Sequence, residues 1–519
     1  MMEPLFNQWY AWPHLIAPTT AAMYVTNSHL KIMQSFVSAP QIHISALKNP
    51  AMIGGPFIGY GADRAPEIRA LMERTQKEQA HMLELANAIK AFDEILCEEA
   101  HGYSLEPLYQ KVAAPLRGYV ELVYDLNNHP SMRFIEGLLY RSRYYDESLQ
   151  AITLSIINAD DRSFVFSTPR LPEAGKLKLA IPFKRRELDC LFAMKSAAQP
   201  YALIKEMLQV KDDDDALFSS FFTDVSPAPP RFDEDAVRIR YFGHASVLIE
   251  SGGVSILCDP VISYKYDNGI DRYTYADLPE RIDYVLITHN HQDHCQFETL
   301  IQLRHKIKNL IVPKSASLGL ADPCLRQALT ITGFTNVVEM DEIESLEFEA
   351  GTITSLPFLG EHGDLNIRAK TAYLVNIKGR SILLAADSNN LEPRLYEHIH
   401  DLTGDLDVVF LGMECDGAPM SWIYGALLTR PLPRPMDQTR RFSGSDYEKA
   451  IDLVGRLKCK QVYVYAMGQE PWLNYFMGLA YTSESRPIVE SNRLVDECNK
   501  RGIQAERLFG KRELFLNAN

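Results

Sequence analysis

What this chain lacks narrows the reading first. Its eight cysteines (Cys97, Cys190, Cys258, Cys295, Cys324, Cys415, Cys459 and Cys498) include no CxxC pair and are scattered over 519 residues. That spacing argues against a thiolate zinc site and suits reduced thiols better than a disulfide framework. No apolar run is long enough to span a bilayer. The N-terminal stretch MMEPLFNQWYAWPHLIAPTTAAMY has no basic lead, carries Glu3 and is interrupted by Pro4, Pro13 and Pro18, so it does not read as a secretory signal. Positive charge is also short. The 53 lysines and arginines face 67 aspartates and glutamates, a formal charge of -14, which argues against general attraction to nucleic acid or to an anionic membrane surface. A cytoplasmic protein with neither nucleic acid nor membrane as partner is the expectation.

What is there is an ordinary globular composition, 46% apolar and 23% charged, in a chain too long for one typical core. Two domains are expected. The cut falls at TDVSPAPPRFDEDA, where three prolines follow the acidic run KDDDD. This divides the chain into residues 1–222, a linker 223–236, and residues 237–519. In the first part, about Arg64 to Arg141 reads as helices, and AITLSIINADDRSFVFSTPRL reads as a hairpin. That part carries no metal-type cluster and reads as a mixed α+β structural or interaction domain. The second part has many short β-branched runs: VRIRYFG, SVLIES, VSILCDP, YVLITH, NLIVP, TSLPF, TAYLVNI, SILLAADS, DVVFLGM and QVYVYAM. Helical patterns separate some of them, which predicts stacked sheets covered by helices, an αββα sandwich, with chemistry at the strand ends.

The chemistry concentrates in YVLITHNHQDHCQFETL, where His289, His291, Asp293 and His294 occupy six residues after an apolar run. One buried histidine is usually a satisfied core residue, but four such groups together would be crowded and unsatisfied without a cation among them. Residues two apart in an extended segment point the same way, so His289 and His291 can reach one metal while Asp293 and His294 face a second. LGEHGD offers Glu361, His362 and Asp364, and LLAADSNN offers Asp387 at a strand end as the natural bridge.

The series GHASVLIE, LCDP, THNHQDH, GEHGD and AADS resembles the metallo-β-lactamase superfamily, whose HxHxDH signature and later aspartate bind two metals in an αββα fold. The match runs from about Val237 to the C-terminus. Two departures stand out. Hydrolases of the superfamily mostly complete the second metal with a late histidine, yet none follows His400. Where they supply a third histidine to the first metal, Glu361 stands beside His362. If Glu361 takes that role, the first metal has two imidazoles and one carboxylate, the pattern of non-haem iron sites that react with dioxygen.

In chain length, two-part layout and the separations of His289 from Glu361 and Asp387, the sequence is similar to the di-iron β-hydroxylases of chloramphenicol biosynthesis and their relatives. For the N-terminal half the similarity is one of layout. The resemblance implies His289, His291 and Glu361 on one iron, Asp293 and His294 on the other, and Asp387 shared. Glu361 and Asp387 would be the residues closest to the chemistry. His362 is the rival to Glu361, or a hydrogen-bond partner behind the ligands. Asp259 would orient a ligand, and His244 would lie near the metals or in the core. The resemblance further implies dioxygen as co-substrate, an electron-donor reductase, and a substrate tethered to a peptidyl carrier domain of a nonribosomal peptide synthetase. It also implies a homodimer supported by the N-terminal half. The alternative is a dinuclear zinc hydrolase acting on an ester, lactone or phosphodiester. Arg430, Arg434, Arg440 and Arg441 in TRPLPRPMDQTRRF would dock an acidic carrier.

Overall fold

The computed structural model describes residues 1–225, 228–316 and 319–517. Ser226 and Pro227, within the expected linker, lie outside the described residues. Fourteen strands form two seven-stranded sheets that pack face to face. In the first sheet the spatial order is Val337–Met340, Ile307–Pro313, Ile282–Leu286, Val254–Cys258, Ser246–Ser251, Val237–Gly243 and Arg512–Leu516. In the second it is Ser345–Phe348, Gly351–Leu356, Ala372–Ile377, Arg380–Leu384, Val408–Gly412, Gln461–Tyr465 and Gln504–Arg507.

Between the sheets, alternate residues of each strand meet: Ile239, Val247, Ile256 and Leu286 from one face, Val375, Ile382, Phe410 and Tyr463 from the other. The helices Arg394–Thr403, Tyr447–Leu457 and Arg486–Lys500 cover the outer face of the second sheet. The outer face of the first is covered by the helix Phe297–Leu303 and by the N-terminal half itself, with which it forms one continuous core.

Ten of these strands coincide with the apolar runs read from the sequence, and the other four are the two outermost strands of each sheet. The reason is exposure. Ser345–Phe348 alternates exposed and half-buried residues and Arg512–Leu516 is exposed at three of its five positions, so they carry little of the apolar signal of the buried central strands.

The N-terminal half contains the helices Ala65–Glu78 and Ala80–Glu99 where a helical period is read. After Ala100 the helical expectation holds only for the short segments Glu106–Lys111, Ala114–Leu116 and Glu136–Leu139. Val120–Tyr124 and Pro130–Phe134 form an antiparallel hairpin, closed by an Asp125 carboxylate that accepts from the amides of Asn127 and His129 at 2.8 Å each. The hairpin expected at Ala151–Leu171 is also corrected. Gln150–Ser155 is a strand, but it pairs with Met2–Phe6 and Lys176–Leu179. The residues after it are held by other parts of the chain, Val165 N donating to Tyr475 O at 2.9 Å and Arg170 N to Gln8 O at 2.6 Å. Among the described residues, no helix is long and apolar enough to cross a membrane.

Buried charges join the halves. Glu298, four residues after His294, accepts from Tyr10 and Tyr264 at 2.9 Å and from both terminal nitrogens of Arg162 at 3.1 and 3.2 Å. Arg162 also donates to Glu3 at 3.1 Å and lies 3.2 Å over the Tyr475 ring. Arg170 grips Glu3 through two bonds of 2.9 Å. Burial alone would raise the Glu3 carboxyl, yet Arg170 and Arg162 outweigh it and hold it at about 2. Glu298→Ala would leave Arg162 and the hydroxyls of Tyr10, Tyr264 and Tyr475 without their common acceptor. A loss of about 3–5 kcal/mol in urea unfolding is expected, and a shift below about 1 kcal/mol would show that the hub carries no such weight.

Candidate metal centre

The site is built at the ends of buried strands. After Ile282–Leu286 the backbone amide of Thr288 donates to Asp259 Oδ1 at 2.8 Å and its hydroxyl donates to Oδ2 at 2.7 Å. Asp259 Oδ2 also meets His294 Nδ1 at 2.7 Å. A carboxylate that accepts here puts the proton on Nδ1 and leaves the His294 Nε2 lone pair facing the centre. Thr288 Oγ1 lies 3.0 Å from His289 Nδ1 and orients that ring in the same way. His291 Nε2 meets the Tyr424 hydroxyl at 3.1 Å, which turns Nδ1 inward.

The inward atoms converge. The ligating atoms of His289, His291 and His362 lie within 4.8 Å of one another, as do those of His289, His294 and Asp387, and those of His244, Asp293 and His294. Asp387 Oδ2 stands 3.0 Å from His294 Nε2 and 3.7 Å from His289 Nε2, between the two groups. Glu361 Oε1 is 3.0 Å from His291 Nδ1. All six residues expected as ligands are therefore brought together, and His362 joins them with its ring 4.6 Å from that of His291. Asp364 does not enter these groups. His244 Nε2 holds Asp293 Oδ2 at 3.1 Å, and its Nδ1 accepts from Gly468 N at 3.2 Å.

Close approach here is not mutual satisfaction. His294 Nε2 and both ring nitrogens of His362 are buried without a hydrogen-bond partner. His289 Nε2 and His291 Nδ1 face each other at 3.2 Å. Burial, then Asp387 and Asp293, pushes the Glu361 carboxyl well above the usual range. Burial opposes charge on His294, but Asp387, Asp293 and Asp259 outweigh it and raise that imidazole. His289 is lowered by burial and by the neighbouring imidazoles. Crowded carboxylates beside imidazoles with inward lone pairs fit a pair of cations, and a set of three carboxylates with three or four imidazoles suits iron as well as zinc.

The backbone is strained where it serves this cluster. His244, Asp259, Glu361, Ala386 and Ala466 all have φ between 39° and 68°, a region that non-glycine residues seldom occupy. Gly412 makes room for Asp387, because a Cβ there would stand 2.8 Å from both Ala386 O and Asp387 Oδ1. In the loop where a hydrolase has its late histidine, Ala466 lines the cavity and supplies no donor.

Sequence reasoning missed Tyr424, Thr288 and Gly412, none of which carries a metal-type signal of its own. It also underrated the N-terminal half. The cavity of about 470 Å³ beside the cluster is lined by Ile53 and Gly54 as well as His291, Asp293, Glu361 and Asp387. A second cavity of about 790 Å³ shares Gly54, Gln292, Trp422 and Ile423 with it and has Trp12, Tyr24 and Phe166 in its wall.

Comparison with known proteins agrees with this geometry. Residues 1–227 match the family described as the diiron non-heme beta-hydroxylase N-terminal domain, and residues 238–416 match the beta-lactamase superfamily domain. The chain is 40% identical to the 4-amino-L-phenylalanyl-(CmlP peptidyl carrier protein) 3-hydroxylase of Streptomyces venezuelae, over 99% of this chain and 98% of that protein. The crystal structure of CmlA, a diiron beta-hydroxylase from the same organism, superposes with a TM-score of 0.93 at 39% identity, covering 99% of this chain and 98% of that one. A glutamate-to-aspartate mutant of CmlA gives 0.91 over the same shares. With this extent of identity over both halves, the chain belongs to the CmlA-like di-iron β-hydroxylases, non-haem oxygenases built on a metallo-β-lactamase domain.

Proposed function

We propose that this chain is a cytoplasmic monooxygenase that hydroxylates, at the β-carbon, an aminoacyl group held as a thioester on a peptidyl carrier domain of a nonribosomal peptide synthetase. The observation that carries the reading is the convergence of three carboxylates and inward-facing imidazoles at one wall of a cavity of about 470 Å³. In this reading His289, His291 and Glu361 hold one iron, Asp293 and His294 the other, and Asp387 is shared. Glu361 is chosen over His362 because it lines the cavity beside Asp387 and His291, where His362 does not. When bound, the irons supply dioxygen activation that no side chain can, one oxygen atom ending in the new C–OH and the other in water with two electrons from a reductase.

The chain's own residues do the rest. Asp259 keeps the proton on His294 Nδ1, Thr288 and Tyr424 fix the rings of His289 and His291, and His244 steadies Asp293. Trp422, Ile423, Phe442, Met477 and Leu479 wall the cavity and keep water from the reacting carbon. Protein from iron-replete cells is expected to hold about two irons per chain. Glu361→Ala should lose iron while His362→Ala retains it, and the reverse order would move the ligand. Two tightly held zincs with esterase activity would instead establish the hydrolase reading.

Carrier docking is assigned to the segment before Phe442, in which Arg434 opens the short helix Arg434–Thr439. Arg440 and Arg441 are tied to backbone oxygens of Gly363 and Asp416 at 2.7 Å, whereas Arg430 and Arg434 are exposed, and neighbouring Leu428, Thr429 and Pro431 line the 790 Å³ cavity. Reversing both, Arg430→Glu with Arg434→Glu, should raise KM for carrier-loaded substrate about tenfold and flatten its salt dependence, with iron content unchanged. Equal turnover of the free amino acid and the carrier-bound form would refute tethering. The same reading assigns a homodimer to the N-terminal half, where Ile42 and Leu47 are 62% and 38% exposed on the helix Pro40–Leu47. Light scattering that returns a single-chain mass at micromolar concentration would overturn it.

A further inference from the structure

The cavity beside the metal residues has an acidic wall that the cluster does not use. Glu414 follows the strand Val408–Gly412 and lines this cavity together with Glu361 and Asp387. Its carboxylate is aimed by the backbone: Oε1 accepts from the amides of Asp416 at 3.1 Å and Gly417 at 2.8 Å. Its Oε2 is sealed from solvent and has no hydrogen-bond partner. No lysine or arginine is among the residues that line the cavity. Nearby Asp416 is already engaged, 3.4 Å from Arg486 at the surface.

An ionised carboxylate with one oxygen bonded and the other bare in a walled space is costly unless a cation or a strong donor completes it. Burial pushes the Glu414 carboxyl up to about 7; no lysine or arginine of the lining offsets this, and a cationic group brought by the ligand would. We propose that Glu414 is a specificity-determining residue whose carboxylate binds the α-ammonium group of the aminoacyl substrate. This rests on the aminoacyl reading above and adds a residue and a group to it. In an aminoacyl thioester the ammonium sits on the carbon next to the β-carbon, so whatever holds it also sets which C–H faces Asp387 and Glu361. Gly412 reinforces the coupling, since the strand that presents Glu414 passes so close to Asp387 that a side chain at position 412 would displace that carboxylate.

The test uses two pantetheine amides, one carrying phenylalanine and the other 3-phenylpropanoate, which differ only in the ammonium group. Their dissociation constants are measured by titration calorimetry on the iron-loaded, oxidised enzyme without reductant, so that no turnover intervenes. The wild-type protein should bind the phenylalanyl probe roughly 10- to 100-fold more tightly, as expected for a hydrogen bond to a charged group. Glu414→Gln should erase that preference, mostly by weakening the phenylalanyl probe, with iron content and visible spectrum unchanged. Glu414→Asp, which keeps the charge but withdraws it by one methylene, should retain part of it. Equal affinity of the two probes for the wild-type protein would overturn the assignment whatever the variants do, while leaving the aminoacyl-arm reading in place. So would a Glu414→Gln protein that still discriminates, or one that loses iron and thereby shows Glu414 to be a ligand. If neither probe binds the wild-type protein, both the assignment and the tethered-substrate reading fall.

Discussion

The meeting of Glu298 with Arg162 and three tyrosines holds the rest of the structure in place. Glu298 belongs to the short helix that begins three residues after His294, so its position is also the position of the metal-binding loop. Tyr10, Arg162 and, through Arg162, Glu3 come from the N-terminal half, and Tyr264 and Tyr475 from the sandwich. A buried charge network of this kind contributes little net stability compared with an apolar core of equal volume, but it tolerates few arrangements. Here that intolerance is useful, because the walls of both cavities are assembled from the two halves and are correct only when the halves meet in one way.

The metal centre follows the opposite rule. Behind the ligands polar atoms are paired, as in the Asp259, Thr288 and His294 network, whereas inside the cluster lone pairs are aimed at one another and left unfilled. The outer bonds make this arrangement persist by fixing each tautomer and ring. The positive φ values at His244, Asp259, Glu361, Ala386 and Ala466 have the same origin: sheets end there, and the chain bends sharply to turn a side chain toward one point.

Much of the fold was legible because buried central strands are continuous apolar runs. The edge strands were not, since alternating exposure dilutes their signal, and Gln504–Arg507 acquires its place by pairing with Gln461–Tyr465. Residues 120–134 were misread as helix although VELVY alternates, because the neighbouring helical pattern was carried past its end. The Ala151–Leu171 hairpin failed for a different reason. Its second half has strand-like residues, but Arg162 and Arg170 are drawn to Glu3 and Glu298, and Phe166 to Trp12 at 5.1 Å, contacts that cannot be anticipated from local sequence.

The sequence by itself determined the donor types and the period-two spacing that turns His289 and His291 to one side, because both are properties of a short segment of chain. It also carried the glutamate beside His362 and the missing late histidine that set this chain apart from zinc hydrolases. Only the tertiary structure decided that Asp387 stands between the two groups, that Tyr424 and Thr288 orient the imidazoles, that Glu414 has an unpaired oxygen beside the cavity, and that Ile53 and Gly54 of the N-terminal half wall it. Apart from Thr288, which is next to His289 in the chain, those relations join residues distant in sequence, and their geometry is set by how the sheets end and how the halves pack, which no local pattern encodes.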